Sequence, residues 1–195
     1  MLHIVDDEVV VRDSLSWLAS SRAITARAYD SAAGFLQQVD LGQFDANGDC
    51  LLLDVRMPDM NGLAVFDQLS ARQLIQRIPV IFLTGHGDVP MAVDTLKRGA
   101  FDFFEKPFND NQLMDRVQEG LAGSRKAGEM AQVLARLATL SAREREVLDL
   151  ILAGKMNKVV ADQLGISMRT VEVHRAHIFD KMQVKTAVEL AGLLK

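Results

Sequence analysis

The chain has 195 residues, 49% of them hydrophobic, which suits ordinary soluble cores in one large or two small domains. No apolar run approaches the ~20 residues needed to cross a bilayer, and a single cysteine, Cys50, excludes an internal disulfide and suits a small core residue. The net charge of −4 is uneven: residues 1–123 hold 18 Asp+Glu against 10 Lys+Arg, and residues 124–195 hold 8 against 12, so an acidic half precedes a basic half suited to nucleic acid.

Met1 leads straight into an apolar run, so no secretory leader is expected, and a cytoplasmic location is the default. The first half alternates short apolar runs with helical periodicity. Leu2–Val5, Ile24–Tyr29, Cys50–Leu53, Val80–Leu83 and Phe101–Phe104 read as strands. Helices are expected over Val9–Ser20, from a Ser31 cap through Val39, and over Leu63–Gln73, Val89–Arg98 and Asp110–Leu121. Asp40–Asp49 reads as a polar loop, Met57–Gly62 as a turn, and Gly85-His86-Gly87 as a further loop. Strands alternating with helices of this length imply βαβ units and a parallel sheet.

Gly120, Gly123 and Gly128 interrupt the pattern, placing a boundary nearby. Met130, Val133, Leu134, Leu137 and Leu140 then recur at helical spacing. Arg125–Thr139 reads as a linker helix whose apolar stripe docks on a domain, with a short dimer seam as the other reading. The expected organisation is residues 1–122 as an α/β domain, 123–139 as linker, and 140–195 as an all-α domain. In the last part, Ser141 and Glu144 form a capping box ahead of Val147, Leu148, Ile151 and Leu152. A short helix from Asn157, a Gly165-Ile166 turn, a longer helix Met168–Met182 capped by Ser167, and a final helix after Thr186 give the layout of a helix-turn-helix.

The chemistry-bearing residues of the first half stand where its strands end: Asp6-Asp7, Asp54, Thr84, and Lys106 followed by Pro107. In an open parallel sheet such positions converge at the carboxyl edge. Each alone has an ordinary reading as a helix cap, a strand end or a turn. Together they suit a divalent cation, Mg2+ or Mn2+, and a transferable phosphoryl group. Asp7 and Asp54 would be cation ligands with the backbone carbonyl of Arg56, and Asp6 would hold a coordinated water or a second face. Asp54 would be the nucleophile, Lys106 a point charge on a phosphoryl oxygen, and Thr84 a hydroxyl donor. Arg56 and His86 border the site, and each could act on the phosphoryl group or face solvent or a partner.

The motifs Ile4-Val5-Asp6-Asp7-Glu8, Leu53-Asp54-Val55-Arg56-Met57-Pro58, Leu83-Thr84-Gly85 and Glu105-Lys106-Pro107-Phe108 resemble the CheY-type receiver domain of two-component response regulators. Met57–Gly62 and Gly85–Val93 narrow the likeness to the FixJ-like group. The resemblance implies a doubly wound five-stranded parallel sheet in order 2-1-3-4-5. It also implies phosphorylation of Asp54 by a sensor histidine kinase, and a switch in which Thr84 and the aromatic Phe103 move. Many relatives have Tyr at the latter position, and Phe103 has no hydroxyl. Leu140–Leu148, Ala161–Ser167 and Thr170–His174 resemble LuxR-type helix-turn-helix domains.

On the Met168–Met182 helix, Val171, Ile178 and Met182 share the core side by helical geometry. Arg169, Glu172, Val173, Ala176 and His177 lie opposite, toward a major groove, with Thr170 beside them. Glu172 could accept from cytosine and Val173 could touch a thymine methyl. Lys155, Lys158, Arg175, Lys181 and Lys185 are candidate phosphate contacts. The apolar final helix either closes the small helical core or, as the resemblance implies, pairs two DNA-binding domains on a pseudo-palindromic site, and the two roles are compatible. The expected function is a transcription factor switched by phosphorylation. Its partners are a kinase, promoter DNA, a second copy and RNA polymerase, with no membrane and no independent turnover. Two rivals stand beside it: a helical module that binds a protein, and an aspartyl-phosphate phosphatase. The second usually needs an acid two residues after the nucleophile, where this chain has Arg56.

Overall fold

The computed structural model describes residues 1–85 and 89–194. The expected loop at Gly85-His86-Gly87, and with it His86, lies largely outside the described residues. The chain divides into two compact units, Met1–Gly128 and Glu129–Lys195. In the first, the strands are β1 (Leu2–Val5), β2 (Ala26–Tyr29), β3 (Cys50–Asp54), β4 (Val80–Thr84) and β5 (Asp102–Glu105). They are all parallel, in the order β2-β1-β3-β4-β5, which is the expected doubly wound sheet. Between them run α1 (Val9–Ser21), α2 (Ala32–Asp40), α3 (Gly62–Ala71) and α4 (Val89–Lys97), and α5 (Asp110–Ala138) follows β5.

The central strands are buried on both faces, which is why they read as continuous apolar runs. Their alternation sorts them between two cores. Leu51, Leu53 and Phe82 pack with Phe35, Leu36, Val65, Phe66 and Leu69 of α2 and α3. Cys50, Leu52, Ile81 and Leu83 pack with Leu15 and Ala19 of α1 and with Leu113, Met114 and Val117 of α5. Cys50 is fully buried, and burial pushes its thiol up to about 12, as suits a packed core residue.

Two local expectations are corrected. Ser31 stands at the N-cap of α2, but its hydroxyl donates to Asp30 and makes no cap bond. The glycines taken as breakers do not end a helix at Leu121, because α5 runs unbroken from Asp110 to Ala138. A helical glycine costs about 1 kcal/mol against alanine, and packing explains two of the three. A Cβ on Gly120 would lie 2.9 Å from Cys50 Sγ, and one on Gly128 would lie 3.0 Å from the Arg77 guanidinium carbon. Nothing in the structure explains Gly123.

Residues preceding β3 and β4 close the edge of the sheet away from the strand ends. Ser124 of α5 is fully buried. Its hydroxyl accepts from the Asp49 N–H at 2.8 Å and from Arg77 Nη1 at 2.8 Å, and donates to the Arg77 carbonyl at 2.5 Å. Asp49 also meets His3 Nε2 at 3.1 Å and accepts the Asp45 N–H at 2.9 Å. Burial alone would raise its carboxyl, but His3, the Asp45 N–H and the chain's amino terminus together hold it below the usual range.

The second unit contains the end of α5 with α6 (Ala142–Leu152), α7 (Asn157–Leu164), α8 (Met168–Met182) and α9 (Ala187–Leu193). The Ser141–Glu144 capping box forms as expected. Of the apolar stripe over 130–140, Val133 and Leu140 are buried and Leu137 partly so, in one core with Val147, Ile151, Val171, Ile178, Met182 and Leu190. Met130 and Leu134 are exposed. The stripe therefore docks on the helical unit through one side of the helix.

Candidate phosphoryl site and nucleic-acid interface

The strand order makes β1 and β3 neighbours at the point where crossovers reverse direction, so Asp6, after β1, and Asp54, ending β3, meet at the carboxyl edge. Both are nearly sealed from solvent, at 1% and 6% exposure. Lys106, reached through β5, places its Nζ 2.7 Å from Asp6 Oδ2 and 2.8 Å from Asp54 Oδ1. The Asp54 Oδ2 accepts the Arg56 N–H at 2.7 Å, and Asp6 Oδ1 accepts the Glu8 N–H at 2.9 Å. Burial pushes the Asp54 carboxyl above its ordinary value, against the pull of Lys106. Burial would lower the Lys106 ammonium, but its two carboxylate partners outweigh that and raise it. One ammonium is thus shared between two buried carboxylates.

Thr84 ends β4, buried beside this cluster, and its carbonyl accepts the Lys106 N–H at 2.7 Å. Phe103 of β5 is half-buried, its ring centroid 6.3 Å from that of Phe82. The Met57–Gly62 turn folds back over Asp54, and a Cβ on Gly62 would collide with the Asp54 backbone oxygen, so only glycine fits. Asp7 and Arg56 are exposed. Arg12, which the sequence reading passed over, donates from Nη1 to the carbonyls of Asp6 at 2.8 Å and Asp7 at 2.9 Å. Its signal was an arginine one turn into the helix that follows an acidic pair.

Among the described residues, no three His, Cys, Asp or Glu side chains stand in a metal-holding group. The donor chemistry nevertheless suits a hard oxygen-seeking cation, since two buried carboxylates, Asp6 and Asp54, face one another across a single ammonium. Mg2+ keeps several waters, so few protein oxygens suffice.

In the helical unit, Gly165 closes α7 in the left-handed conformation, at φ 63°. Ser167 then caps α8, accepting the Thr170 N–H at 3.1 Å. Val171, Ile178 and Met182 are fully buried. Arg169, Glu172, Val173, Ala176 and His177 form the exposed face, as their spacing requires. Thr170 is half-buried and bonded to Ser167 Oγ at 2.7 Å. Lys155, Lys158 and Lys185 are exposed. Arg175 lies over the Phe179 ring at 5.4 Å. Lys181 has an internal role, pairing with Glu144 at 2.7 Å and reaching the Thr139 carbonyl at 3.3 Å.

Residues 2–118 match the family model of the response regulator receiver domain, and residues 138–194 that of the bacterial regulatory proteins of the luxR family. The chain is 50% identical to the C4-dicarboxylate transport transcriptional regulatory protein DctR of Rhodobacter capsulatus over 98% of each chain. It is 41% identical to the transcriptional regulatory protein FixJ of Rhizobium meliloti, over 98% of this chain and 93% of that one. Among solved structures it resembles the response regulator StyR, with a TM-score of 0.70 and 37% identity over 99% of this chain and 96% of the other. Full-length FixJ from B. japonicum gives a TM-score of 0.57 and 37% identity over 98% and 94%.

Proposed function

The chain belongs to the response regulators that join a receiver domain to a LuxR-type DNA-binding domain, and we propose that its input is phosphorylation of Asp54 and its output promoter binding by α8. The observation that carries this reading is Lys106 Nζ held between Asp6 and Asp54 at the carboxyl edge of the sheet.

An Asp54 carboxylate oxygen forms the new P–O bond as the P–N bond to the kinase's phosphohistidine breaks; the histidine nitrogen keeps the electron pair and takes up a proton. Lys106 neutralises charge on the phosphoryl oxygens, and the Thr84 hydroxyl donates to one of them. Asp6, Asp7, Asp54 and the Arg56 carbonyl would hold Mg2+ or Mn2+, which when bound screens the repulsion between Asp54 and the incoming phosphoryl group.

Beside Lys106 lies an apolar groove of about 740 Å³ lined by Val10, Leu15, Trp17, Leu18, Pro107 and Phe108. It adjoins the nucleophile that the kinase must reach, and it is read as the kinase's footing. Exposed Val89, Val93 and Leu96 on α4 support a phosphorylation-dependent dimer, with Phe103 on neighbouring β5 as the switching aromatic. On DNA, Glu172 and Val173 with Arg169, Ala176 and His177 face the bases, while Lys158 and Arg175 hold phosphates. A dimer on a two-fold site and a contact with RNA polymerase complete the reading. No described helix is long and apolar enough to cross a membrane, which fits a cytoplasmic regulator.

The test is intact mass after incubation with acetyl phosphate, with and without Mg2+. A cation-dependent gain of one phosphoryl group, ~80 Da, in wild type and not in Asp54→Asn is expected. An equal gain in both proteins would remove Asp54 as the acceptor.

A further inference from the structure

Arg12 touches the phosphoryl site without touching any group the reaction uses. From the first turn of α1 it turns back on the chain, and one nitrogen, Nη1, donates to the carbonyl oxygens of both Asp6 and Asp7, at 2.8 and 2.9 Å. Two successive carbonyl oxygens drawn to one point repel each other, and a cationic donor between them holds that conformation. The same loop is fastened from the other side, where Asp6 Oδ1 accepts the Glu8 N–H at 2.9 Å. The backbone carrying both acidic side chains is thus fixed at each carbonyl and at the following amide. Asp6 Oδ2 remains on the Lys106 ammonium at 2.7 Å.

We propose that Arg12 is a positioning residue for the cation site, fixing the Asp6–Asp7 main chain so that its carboxylates present one geometry to a divalent ion. This rests on the reading of Asp6, Asp7 and Asp54 as the ligand set. It goes beyond that reading because it makes a positively charged side chain strengthen the binding of a cation.

The sign of the effect discriminates. If Arg12 were only a nearby positive charge, removing it would tighten cation binding. If it orders the ligands, removing it weakens binding, by about tenfold where an outer support of a metal site is lost.

The experiment is titration of the full chain with Mn2+, counting free ion by electron paramagnetic resonance, for wild type, Arg12→Met, Arg12→Lys and Asp54→Asn. Wild type is expected to bind one ion, Arg12→Met about tenfold more weakly, and Arg12→Lys, which keeps a charged donor, close to wild type. Arg12→Met binding as tightly as wild type or tighter, or Arg12→Lys binding no better than Arg12→Met, overturns the proposal. Wild type binding no ion, or binding it unchanged in Asp54→Asn, overturns the cation-site reading itself. Circular dichroism checks that each variant is folded. Should Arg12→Met not fold, Arg12→Gln serves: it removes the same charge, and its amide is two bonds too short to span both carbonyls.

Discussion

Lys106 and Asp54, 52 positions apart in the chain, meet at 2.8 Å between Nζ and Oδ1. The contact offsets only part of what burial does to Asp54, whose carboxyl stays raised. An acid with a raised folded pKa binds its proton more tightly when folded, so it costs stability as pH rises from its ordinary value of 3.8 through the folded one. Asp54→Asn removes that cost and leaves Lys106 paired with Asp6. The variant is expected to melt at a higher temperature than wild type at pH 7, with the advantage vanishing below pH 3.8. Thermal unfolding at both pH values checks this.

Lys106→Met removes the ammonium that lies against Asp54, the charge proposed to meet the incoming phosphoryl group. Phosphorylation by acetyl phosphate, followed by mass against time, is expected to slow about 100-fold at unchanged cation concentration. A rate within twofold of wild type would deny Lys106 its role.

The α1 groove separates two routes to the same aspartate. Val10, 71% exposed, is far from needing burial for folding. Val10→Asp is expected to slow phosphotransfer from the cognate kinase at least tenfold, by placing an unpaired charge in an apolar contact. Labelling by acetyl phosphate, which needs no protein contact, should not change. Equal slowing of both reactions would place the effect in the pocket instead.

Glu144 is buried in the helical unit, and Lys181 at 2.7 Å together with the Ser141 N–H holds its carboxyl down at about 2. A depressed folded pKa gives stability that is complete above the ordinary value of 4.5 and is lost as pH falls toward about 2. Helix content of the full chain, followed by circular dichroism, is expected to fall in that window, and Glu144→Gln should flatten the part belonging to this unit.

On DNA, charge and shape separate. Lys158→Ala is expected to weaken binding to all sequences alike and to lower the salt slope by about one. Val173→Ala, which removes apolar surface from the groove face, should cost about 1 kcal/mol on the specific site and little elsewhere. Binding isotherms across a salt series, on specific and scrambled DNA, tell them apart.

The sheet and its acidic edge were legible because β1, β3 and β4 are buried on both faces and stop at a charged or hydroxyl residue, a signal carried within five positions. The helix-turn-helix was legible for a similar reason, since Gly165 and Ser167 mark the turn and cap locally. Other features had no local mark. Gly120 reads as a breaker until β3 is seen to press Cys50 Sγ against it. Ser124, Arg77 and Asp49 are ordinary polar residues in sequence, and only the tertiary fold brings partners 47 and 75 positions apart into one buried network. Lys181 looked like any exposed cation near the end of α8, and it is instead half-buried against Glu144.

Trp17 is the only tryptophan in the chain. It stands 74% exposed on the wall of the groove that also contains Lys106 and Pro107. The protein therefore carries its own optical label where its kinase is proposed to sit. In the free chain the indole emits from water and is open to collisional quenchers. A partner seated in the groove would shift that emission to the blue and shield it from iodide, while a partner held elsewhere would leave both untouched. The first encounter of the signalling event can thus be timed in solution without attaching a dye.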